Sequence, residues 1–411
     1  MNEPTRIVGL ERLAAFVPHA GRDYRSSRNE DRGPADRCNV SMLSPYIRAR
    51  LVTEEEVLRA TLARHQLPTA EKFVQEVLWR TYWKGWLESR PSLWQQYRRD
   101  VEAAHERCGT DADLARRYED AIAGRTGNEA FDSWSRELIA ENYLHNHARM
   151  WYASLWIFTL GLPWELGADF FMRHLLCGDP AANTLSWRWV AGLQTKGKTY
   201  RATRENIRRY TRGRLDPGVD IARVAPPLAG ATYDVGPLPE LRVDPRIGEP
   251  AMLVLHDDDA GIESLPLARV DIRTSVGLCA VGGRSSQPMA PAVVAFARGA
   301  LEDALCRAPF GERRKIVDVD ERTHRSAADI LLAHALRYGV RTAIVPYAPV
   351  GPVRDALCEI APRLARGGVR VVECARTFDA IVWPFATRGF FNLKEKIPHL
   401  LRELGLRDGG T

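Results

Sequence analysis

The chain lacks several features that would place it in common classes of protein. Its seven cysteines are widely scattered and include no Cys-x-x-Cys pair, which argues against a disulfide framework, a zinc site and an iron–sulfur cluster. No Gly-x-Gly-x-x-Gly motif follows the first predicted strand, so the sequence does not indicate a dinucleotide site there. We therefore expect no bound metal and a reducing compartment.

Long hydrophobic runs are also missing. The strongest, from Trp151 to Trp164, contains Pro163 and at about fourteen residues is too short to span a bilayer. The first residues open no apolar segment of the kind found in secretory signals. With 45% apolar and 27% charged residues, the composition is that of an ordinary globular protein. We expect a cytoplasmic protein that does not enter a membrane.

The sequence predicts several regions of different character. Residues 1–36 are polar and are expected to be an irregular N-terminal extension. Residues 37–215 are predicted to form an all-helical domain, because apolar residues recur at helical spacing and no convincing strand precedes residue 250. Thr53 to Glu56 has the pattern of a capping box that opens a helix. Residues 216–249 are rich in proline and are expected to be a linker.

Residues 250–411 have a different pattern. Short apolar runs alternate with amphipathic segments, which predicts a Rossmann-like domain with a parallel sheet. The predicted strands are 251–255, 315–319, 342–346, 369–373 and 380–383. The predicted helices lie near 292–306, 327–338, 351–365 and 393–404. The acidic run His256 to Asp259 is expected to be a solvated loop, with cation binding as the alternative. The fold class is therefore multidomain, α followed by α/β.

Tryptophan is abundant and clustered. Of the 11 tryptophans, all but Trp383 lie between Trp79 and Trp189. Leu or Phe would bury comparable area without an N–H group that needs a partner. Indoles also carry single electrons and stack on bases. We expect some of these tryptophans to serve ordinary packing and others to have one of these two uses.

Positive charge is concentrated in one segment. The net charge of +6 permits a polyanionic partner without proving one. Between residues 196 and 214 the only acid is Glu205, and the basic residues are Lys196, Lys198, Arg201, Arg204, Arg208, Arg209, Arg212 and Arg214. If the segment is helical, Arg201, Arg204, Arg208 and Arg212 share a face. The segment is either a solvated helix face or a surface that contacts phosphates.

Several motifs, taken together and in order, carry a resemblance to a known family. They are Ser41-Met-Leu-Ser-Pro-Tyr46, Glu76-Val-Leu-Trp-Arg-Thr-Tyr-Trp83, His145-Asn-His-Ala-Arg-Met150 and Cys177-Gly-Asp-Pro-Ala-Ala-Asn-Thr-Leu-Ser-Trp-Arg-Trp189. Through them, roughly residues 24–204 resemble the FAD-binding domain of the photolyase and cryptochrome family. That family usually carries an α/β antenna domain before the flavin domain. Here the C-terminal α/β region resembles that domain placed last, but its motifs do not support an antenna chromophore.

The resemblance implies FAD as the cofactor. Ser41, Leu43 and Ser44 match the loop that hydrogen-bonds the FAD phosphates, and serine hydroxyls before a Pro-initiated helix suit an anion. By itself this pattern also fits a helix N-cap. Val40 stands where the family has a threonine, so one hydroxyl is lost. Tyr24 resembles the tyrosine that precedes the loop.

The same resemblance assigns residues to the flavin ring. It implies that Arg80 and Arg149 lie beside the ring, that Asp179 accepts from the flavin N3–H, and that Asn183 faces N5. Cys177 departs from the pattern, because the family usually has an aspartate there that pairs with the arginine equivalent to Arg149. Its loss is expected to leave this arginine without a partner.

Further residues match the lesion site and the electron relay of the family. Glu76, Trp79, Asn146 and Trp189 match the residues that bind a flipped pyrimidine dimer, with the two indoles stacking on it. Glu76 and Trp79 have the spacing that shares a helix face, although an amphipathic core helix explains the same pattern. Trp187 resembles the flavin-proximal relay tryptophan and Trp164 the middle one. No tryptophan matches the third member, for which the sequence offers only Tyr97, Cys108 and Tyr118.

The resemblance implies a light-dependent DNA repair flavoprotein that splits cyclobutane pyrimidine dimers. Its catalytic residues are then Trp187, Trp164, Asn183 and Glu76, and its partner is DNA that contains such dimers. Because the basic segment follows the lesion motif, Arg201, Arg204 and Arg208 are expected to contact DNA phosphates. A cryptochrome-like photoreceptor and a flavoprotein without lesion activity are the alternatives.

Overall fold

The computed structural model describes residues 3–244, 247–308 and 315–406. These residues cluster into two compact units. The first unit contains the described residues of Met1–Gly21, Leu43–Ser89 and Val235–Thr411. The second unit contains Arg22–Met42 and Arg90–Asp234. Each unit therefore joins segments that are distant in sequence.

The described chain is helical before its first strand, as predicted. The helices are α1 (Arg6–Phe16), α2 (Arg22–Ser27), α3 (Ser44–Arg48), α4 (Glu54–Arg64), α5 (Leu67–Glu88), α6 (Pro91–Thr110), α7 (Ala112–Ala123), α8 (Glu129–Glu141), α9 (Asn146–Ser154), α10 (Trp164–His174), α11 (Pro180–Val190) and α12 (Arg204–Tyr210). After α9 the helix widens into a π-helical turn, Leu155–Thr159. The capping box at the start of α4 is confirmed, since Thr53 and Glu56 each bond the other's backbone N–H.

The prediction that residues 1–36 are irregular is wrong, because α1 and α2 lie within them. Thr5 caps α1 by accepting a hydrogen bond from the backbone N–H of Val8. Gly9 lies where α1 packs most closely, and a Cβ there would be 2.7 Å from a methyl carbon of Val52. Because glycine has no side chain, this packing position does not appear as an apolar residue in the sequence. The hydrophobic periodicity that would predict α1 is weakened.

The C-terminal region contains a five-stranded parallel sheet, as predicted. The strands are β1 (Ala251–His256), β2 (Ile272–Cys279), β3 (Lys315–Asp318), β4 (Thr342–Pro346) and β5 (Arg370–Cys374), in the order β3-β2-β1-β4-β5. The helices of this region are α13 (Pro291–Arg307), α14 (His324–Arg337), α15 (Pro352–Arg366), α16 (Thr377–Val382) and α17 (Phe390–Glu403). A buried core cluster joins β1–β4 to α14 and α15.

Two strand predictions fail. Residues 380–383, predicted as a strand, lie in α16 and the 3-10 turn Trp383–Phe385 that follows it. The strand β2 was not predicted, because Arg273, Thr274 and Ser275 interrupt its apolar pattern. It is nevertheless almost wholly buried, since it lies between β1 and β3.

The acidic run after β1 is a buried ion-pair cluster, and the prediction of a solvated loop is wrong. Asp257, Asp258 and Asp259 are all at most 7% exposed. Arg48 lies 3.4 Å from a carboxylate oxygen of Asp257 and 2.5 Å from one of Asp258. Arg284 donates to Asp257 at 3.0 Å. The carboxylates therefore face arginines, and among the described residues no group of three His, Cys, Asp or Glu is placed to hold a metal ion.

A second part of this cluster centres on Asp259. Arg50 donates to Asp259 at 3.0 Å and to Asp379 at 2.6 Å, and Arg376 donates to Asp259 at 2.8 Å. Burial by itself would raise the pKa of Asp259, but Arg376 and Arg50 outweigh it and hold the pKa well below its usual range. The ion pairs thus connect residues 43–89 to the carboxyl edge of the sheet.

Asp259→Asn should destabilise the protein by about 3–5 kcal/mol, because it leaves the buried Arg376 without its carboxylate and removes one of the carboxylates that pair with the buried Arg50. The free energy of unfolding is measured in urea by circular dichroism. The control is Glu55→Gln, which removes a pair with Arg59 whose side chains are 34% and 56% exposed. This exposed pair should contribute only about 0–1 kcal/mol. If the two variants lower the free energy of unfolding by the same small amount, the buried cluster does not stabilise the protein more than an exposed pair does.

Candidate functional site

The motif at residues 177–189 forms the start and body of α11. Asp179 is the N-cap of this helix, 3% exposed, and accepts a hydrogen bond from the N–H of Ala182 at 2.8 Å. Pro180 occupies the first helical position, where a missing N–H costs nothing. Asn183 and Trp187 follow at intervals of four residues, which aligns them along one side of α11. The Asn183 amide donates to the carbonyl of Ala168 at 2.8 Å.

Three buried polar atoms of α11 have no hydrogen-bond partner among the described residues. They are Oγ1 of Thr184, Nε1 of Trp187 and Nε of Arg188. A buried donor without a partner costs about 1–3 kcal/mol, so such atoms are rare in a helix that meets only protein. The Thr184 hydroxyl fits a helix that borders a bound polar molecule. With the Asp179 carboxylate and the Asn183 amide, the donor and acceptor set of α11 suits a flavin.

Arg149 is not left unpartnered by Cys177, contrary to expectation. Its two terminal nitrogens lie 3.3 and 3.4 Å from the Cys177 sulfur, and its Nε donates to the carbonyl of Leu144 at 3.0 Å. Cys177 is 5% exposed. The thiol therefore takes the hydrogen-bonding place of the expected carboxylate, without its negative charge.

The neighbouring histidines cap and pack α9. The Nδ1 of His145 accepts from the N–H of His147 at 3.1 Å. His147 is half-buried and stacks on Trp151 with 4.4 Å between ring centroids. Burial lowers the pKa of His147 to about 4, as it does for His145, so both rings are neutral at pH 7.

The predicted cofactor contacts fall in both units. Leu43, Ser44 and Arg80 belong to the first unit, and Tyr24, Ser41, Arg149, Asp179 and Asn183 to the second. Ser44 does not cap α3, since Leu43 holds that position and makes no side-chain cap bond. The buried Ser44 hydroxyl has no partner among the described residues. Its assignment to the FAD phosphates stays a prediction.

The predicted lesion residues also fall in both units. Glu76 and Trp79 lie half-buried on α5 of the first unit. In the second unit Asn146 is exposed at the start of α9, and Trp189 is half-buried against Tyr200, with 5.6 Å between ring centroids.

Trp79 is stacked on a residue that the sequence did not indicate. The ring of Phe390 in α17 lies parallel to it, with 3.7 Å between centroids and 10° between planes. The hydroxyl of Tyr82, on the next turn of α5, donates to the carbonyl of Arg388 at 2.8 Å. Helix α17 therefore packs on the Trp79 face of α5. No short-range pattern could have revealed Phe390, because the contact joins residues far apart in the sequence.

The predicted relay residues lie in different ring contacts of the second unit. Trp187 meets Trp156 with 6.1 Å between centroids. Trp164 instead meets Tyr97 at 5.6 Å. Among the described residues, no aromatic ring is in contact with both Trp164 and Trp187. Of the candidates for the third member, Tyr118 meets Trp156 at 6.1 Å. Trp156 itself was missed by the sequence analysis.

The basic segment forms a shorter helix than its spacing suggests. Helix α12 covers only Arg204–Tyr210, so Arg201 precedes it and Arg212 follows it with φ of 55°. The predicted common face is therefore wrong. Arg204 and Arg208 pair with Asp216 at 2.7 and 3.4 Å. These arginines are more than half exposed, and exposed pairs of this kind are weak enough for a phosphate to displace.

Comparison with known proteins assigns the helical part of the chain. Residues 73–216 match the family model described as the FAD binding domain of DNA photolyase. The chain is 34% identical over 174 residues to a deoxyribodipyrimidine photo-lyase of Streptomyces griseus, covering 42% of this chain and 36% of that protein. It is 30% identical over 204 residues to one of a Synechococcus species, covering 46% and 39%. The chain thus matches less than half the length of these relatives.

A solved structure is also similar. The cryptochrome of Synechocystis sp. PCC6803 is 21% identical, with a TM-score of 0.38, and the match covers 50% of this chain and 43% of that one. None of the helices in the described residues combines the length and apolarity that a membrane span needs.

If Asp179 accepts from the flavin N3–H, as the resemblance implies, Asp179→Ala should weaken FAD binding by about 1–3 kcal/mol, because a buried donor loses its acceptor. The substitution also removes an N-cap, which costs about 0.5–2 kcal/mol of stability. Asp111→Ala is the matched control, since Asp111 caps α7 through the N–H of Leu114. The FAD-to-protein absorbance ratio and the Kd for added FAD are measured. Equal FAD retention by the two variants would contradict the assignment of Asp179.

The matched domain and the parallel sheet account for different parts of the chain. The helical match ends at residue 216, and the sheet spans residues 251–374. Residues 73–216 therefore match a photolyase-type FAD-binding domain, with FAD as its cofactor, and the α/β region of this chain lies C-terminal to that domain.

Proposed function

We propose that this protein is a light-dependent DNA repair enzyme that splits cyclobutane pyrimidine dimers. The curated relatives named above are called deoxyribodipyrimidine photo-lyases, and they share the FAD-binding part of the chain. Reduced FAD, when bound and excited by light, supplies the electron that opens the cyclobutane ring and recovers it afterwards. The other steps of the proposal concern residues of this chain.

The observation that carries the proposal is the pair of indoles at the end of α11. Trp187 is 2% exposed and lies among other rings, as an electron carrier must. Trp189, two residues on, is half-buried and offers part of its ring outside the core. An indole at such a position can stack on an extruded base, which contributes about 1–3 kcal/mol per base. A light sensor has no need of this second indole.

Other residues have matching roles in the proposal. The Glu76 carboxylate of the first unit hydrogen-bonds a flipped pyrimidine, and the exposed Asn146 amide of the second unit is a separate candidate for lesion contact. Asn183 holds an uncharged amide toward the flavin, which leaves an electron-rich flavin accessible. Arg201, Arg204 and Arg208 are exposed and contact phosphates, the last two after release from Asp216.

One observation favours the second candidate, a cryptochrome-like photoreceptor. The Trp79 ring that should stack on the lesion is stacked on Phe390 instead. A repair enzyme of this design requires Phe390 to leave Trp79 when the lesion binds. In a photoreceptor the same contact can remain in place. The following two experiments separate these candidates.

Chemically reduced, FAD-loaded protein should restore thymines in a dimer-containing oligonucleotide under blue or near-UV light. Product formation is followed by the return of thymine absorbance and by chromatography, with a dark sample as the control. If dimers stay intact on both single- and double-stranded DNA while FAD is bound and reduced, the repair proposal fails and the photoreceptor leads.

Phe390→Ala should strengthen the preference for dimer-containing DNA, because it removes the ring that competes with the base for Trp79. Phe391→Ala is the matched control on the same helix, since that side chain is 76% exposed. Binding of damaged and undamaged oligonucleotides is compared by fluorescence anisotropy. Unchanged lesion preference in Phe390→Ala, together with unchanged preference in Trp79→Ala, would remove Trp79 from the lesion site.

A further inference from the structure

Among the described rings, those of Trp156, Tyr152 and Phe171 meet Trp187 edge to face, and Trp156 is the indole among them. The planes of Trp156 and Trp187 are 87° apart, and both side chains are at most 2% exposed. Centroids 6.1 Å apart in this geometry leave the ring edges in van der Waals contact. Such contact is sufficient for an electron to pass directly between two indoles.

A glycine makes this approach possible. A Cβ at Gly167 of α10 would lie 2.3 Å from Cη2 of Trp187 and 2.9 Å from Cε2 of Trp156. Glycine within a helix costs about 1 kcal/mol relative to alanine, so its presence here requires a packing reason. Trp156 also stands in the π-helical turn Leu155–Thr159, a distortion that often occurs at functional positions.

Hydrogen bonding favours a positive charge on Trp156. Its indole N–H donates to the carbonyl of Pro163 at 2.8 Å. One-electron oxidation makes an indole N–H much more acidic, so a carbonyl acceptor stabilises the oxidised ring. The Trp187 N–H has no such acceptor among the described residues. The positive charge left on Trp187 after it loses an electron is therefore lower in free energy on Trp156, and it moves to that ring.

The surroundings of Trp164 have the opposite effect. The guanidinium of Arg188 lies over its ring, 5.9 Å from the centroid, and Arg188 is 6% exposed. Within the described chain no carboxylate forms an ion pair with Arg188. Glu165 and Asp100 attract Arg188 only from a longer distance, so this buried cation still disfavours a second positive charge on the ring beside it. Trp164 is thus harder to oxidise than Trp156.

We propose that Trp156 is the residue that passes an electron to Trp187 during photoreduction of FAD. When FAD is bound, Trp187 would give one electron to the oxidised flavin excited by light and would recover one from Trp156. No covalent bond is made or broken. The oxidised Trp156 keeps its indole proton, which stays hydrogen-bonded to the carbonyl of Pro163. A thiol reductant in solution then restores Trp156. This inference rests on FAD binding and does not depend on dimer splitting.

The test compares Trp156→Phe, Trp164→Phe and Trp187→Phe in the FAD-loaded protein with dithiothreitol under blue light. Flavin absorbance reports both FAD retention and the rate of photoreduction, and transient absorption reports tryptophan radicals. Trp156→Phe should lower the photoreduction rate to that of Trp187→Phe and remove the long-lived tryptophan radical. Trp164→Phe should lower the rate less. Tyr152→Phe, which changes a neighbouring ring 6.0 Å from Trp156, is the control and should match the wild type.

The proposal is overturned if Trp164→Phe slows photoreduction as much as Trp156→Phe or more. A readout that needs no light reaction supports the contact itself: the near-UV circular dichroism of the indole pair should change more in Trp156→Phe than in Trp164→Phe. Should Trp156→Phe fail to retain FAD, Trp156→Tyr replaces it. Tyrosine keeps a ring at this position but must lose a proton when oxidised. Trp156→Tyr should therefore also slow photoreduction more than Trp164→Phe does. Dimer splitting by chemically reduced protein is measured separately and is expected to persist in Trp156→Phe.

Discussion

Buried charge is the constraint on which the first unit depends. The aspartates that follow β1 are out of contact with water, and a carboxylate in that position is tolerated only beside a cation that is itself hydrogen-bonded. Arg48 and Arg50 supply those cations from the segment that ends α3. The segment 43–89 is therefore held against the sheet, although about two hundred residues separate the partners in sequence.

That attachment determines the surroundings of α5. The carboxylate of Glu88, at its end, accepts from the Tyr347 hydroxyl and the Val350 N–H at 2.6 Å each, after β4. Burial raises the pKa of Glu88, and these two donors oppose the shift. Nearer its middle, α5 packs against α17 through Trp79 and Phe390. The residue on which lesion binding would depend is thus part of the packing between α5 and the C-terminal region.

In the second unit the chemistry is organised by α11 and the rings around it. Its cap residue, its amide and its buried indole were all assigned from the motif, because they lie within nine residues of one another. The partners of these groups were not. The Cys177 sulfur bonded to Arg149, the Trp156 ring against Trp187 and the Arg188 cation over Trp164 come from separate turns and helices. These partners determine which of the side chains around α11 can hold a positive charge.

Local signals were sufficient for the helical first part, the capping box at Thr53, four of the five strands and the order of the flavin motifs. Each of these depends on residues a few positions apart, where periodicity and capping chemistry act directly. The tertiary structure alone decided the burial of β2, the ion pairs of Asp257 to Asp259, the stack of Phe390 on Trp79 and the choice of Trp156 as the neighbour of Trp187. Those contacts join residues far apart in the chain, and no short-range spacing records them, since which side chains meet is set by packing density and by the balance of buried charge.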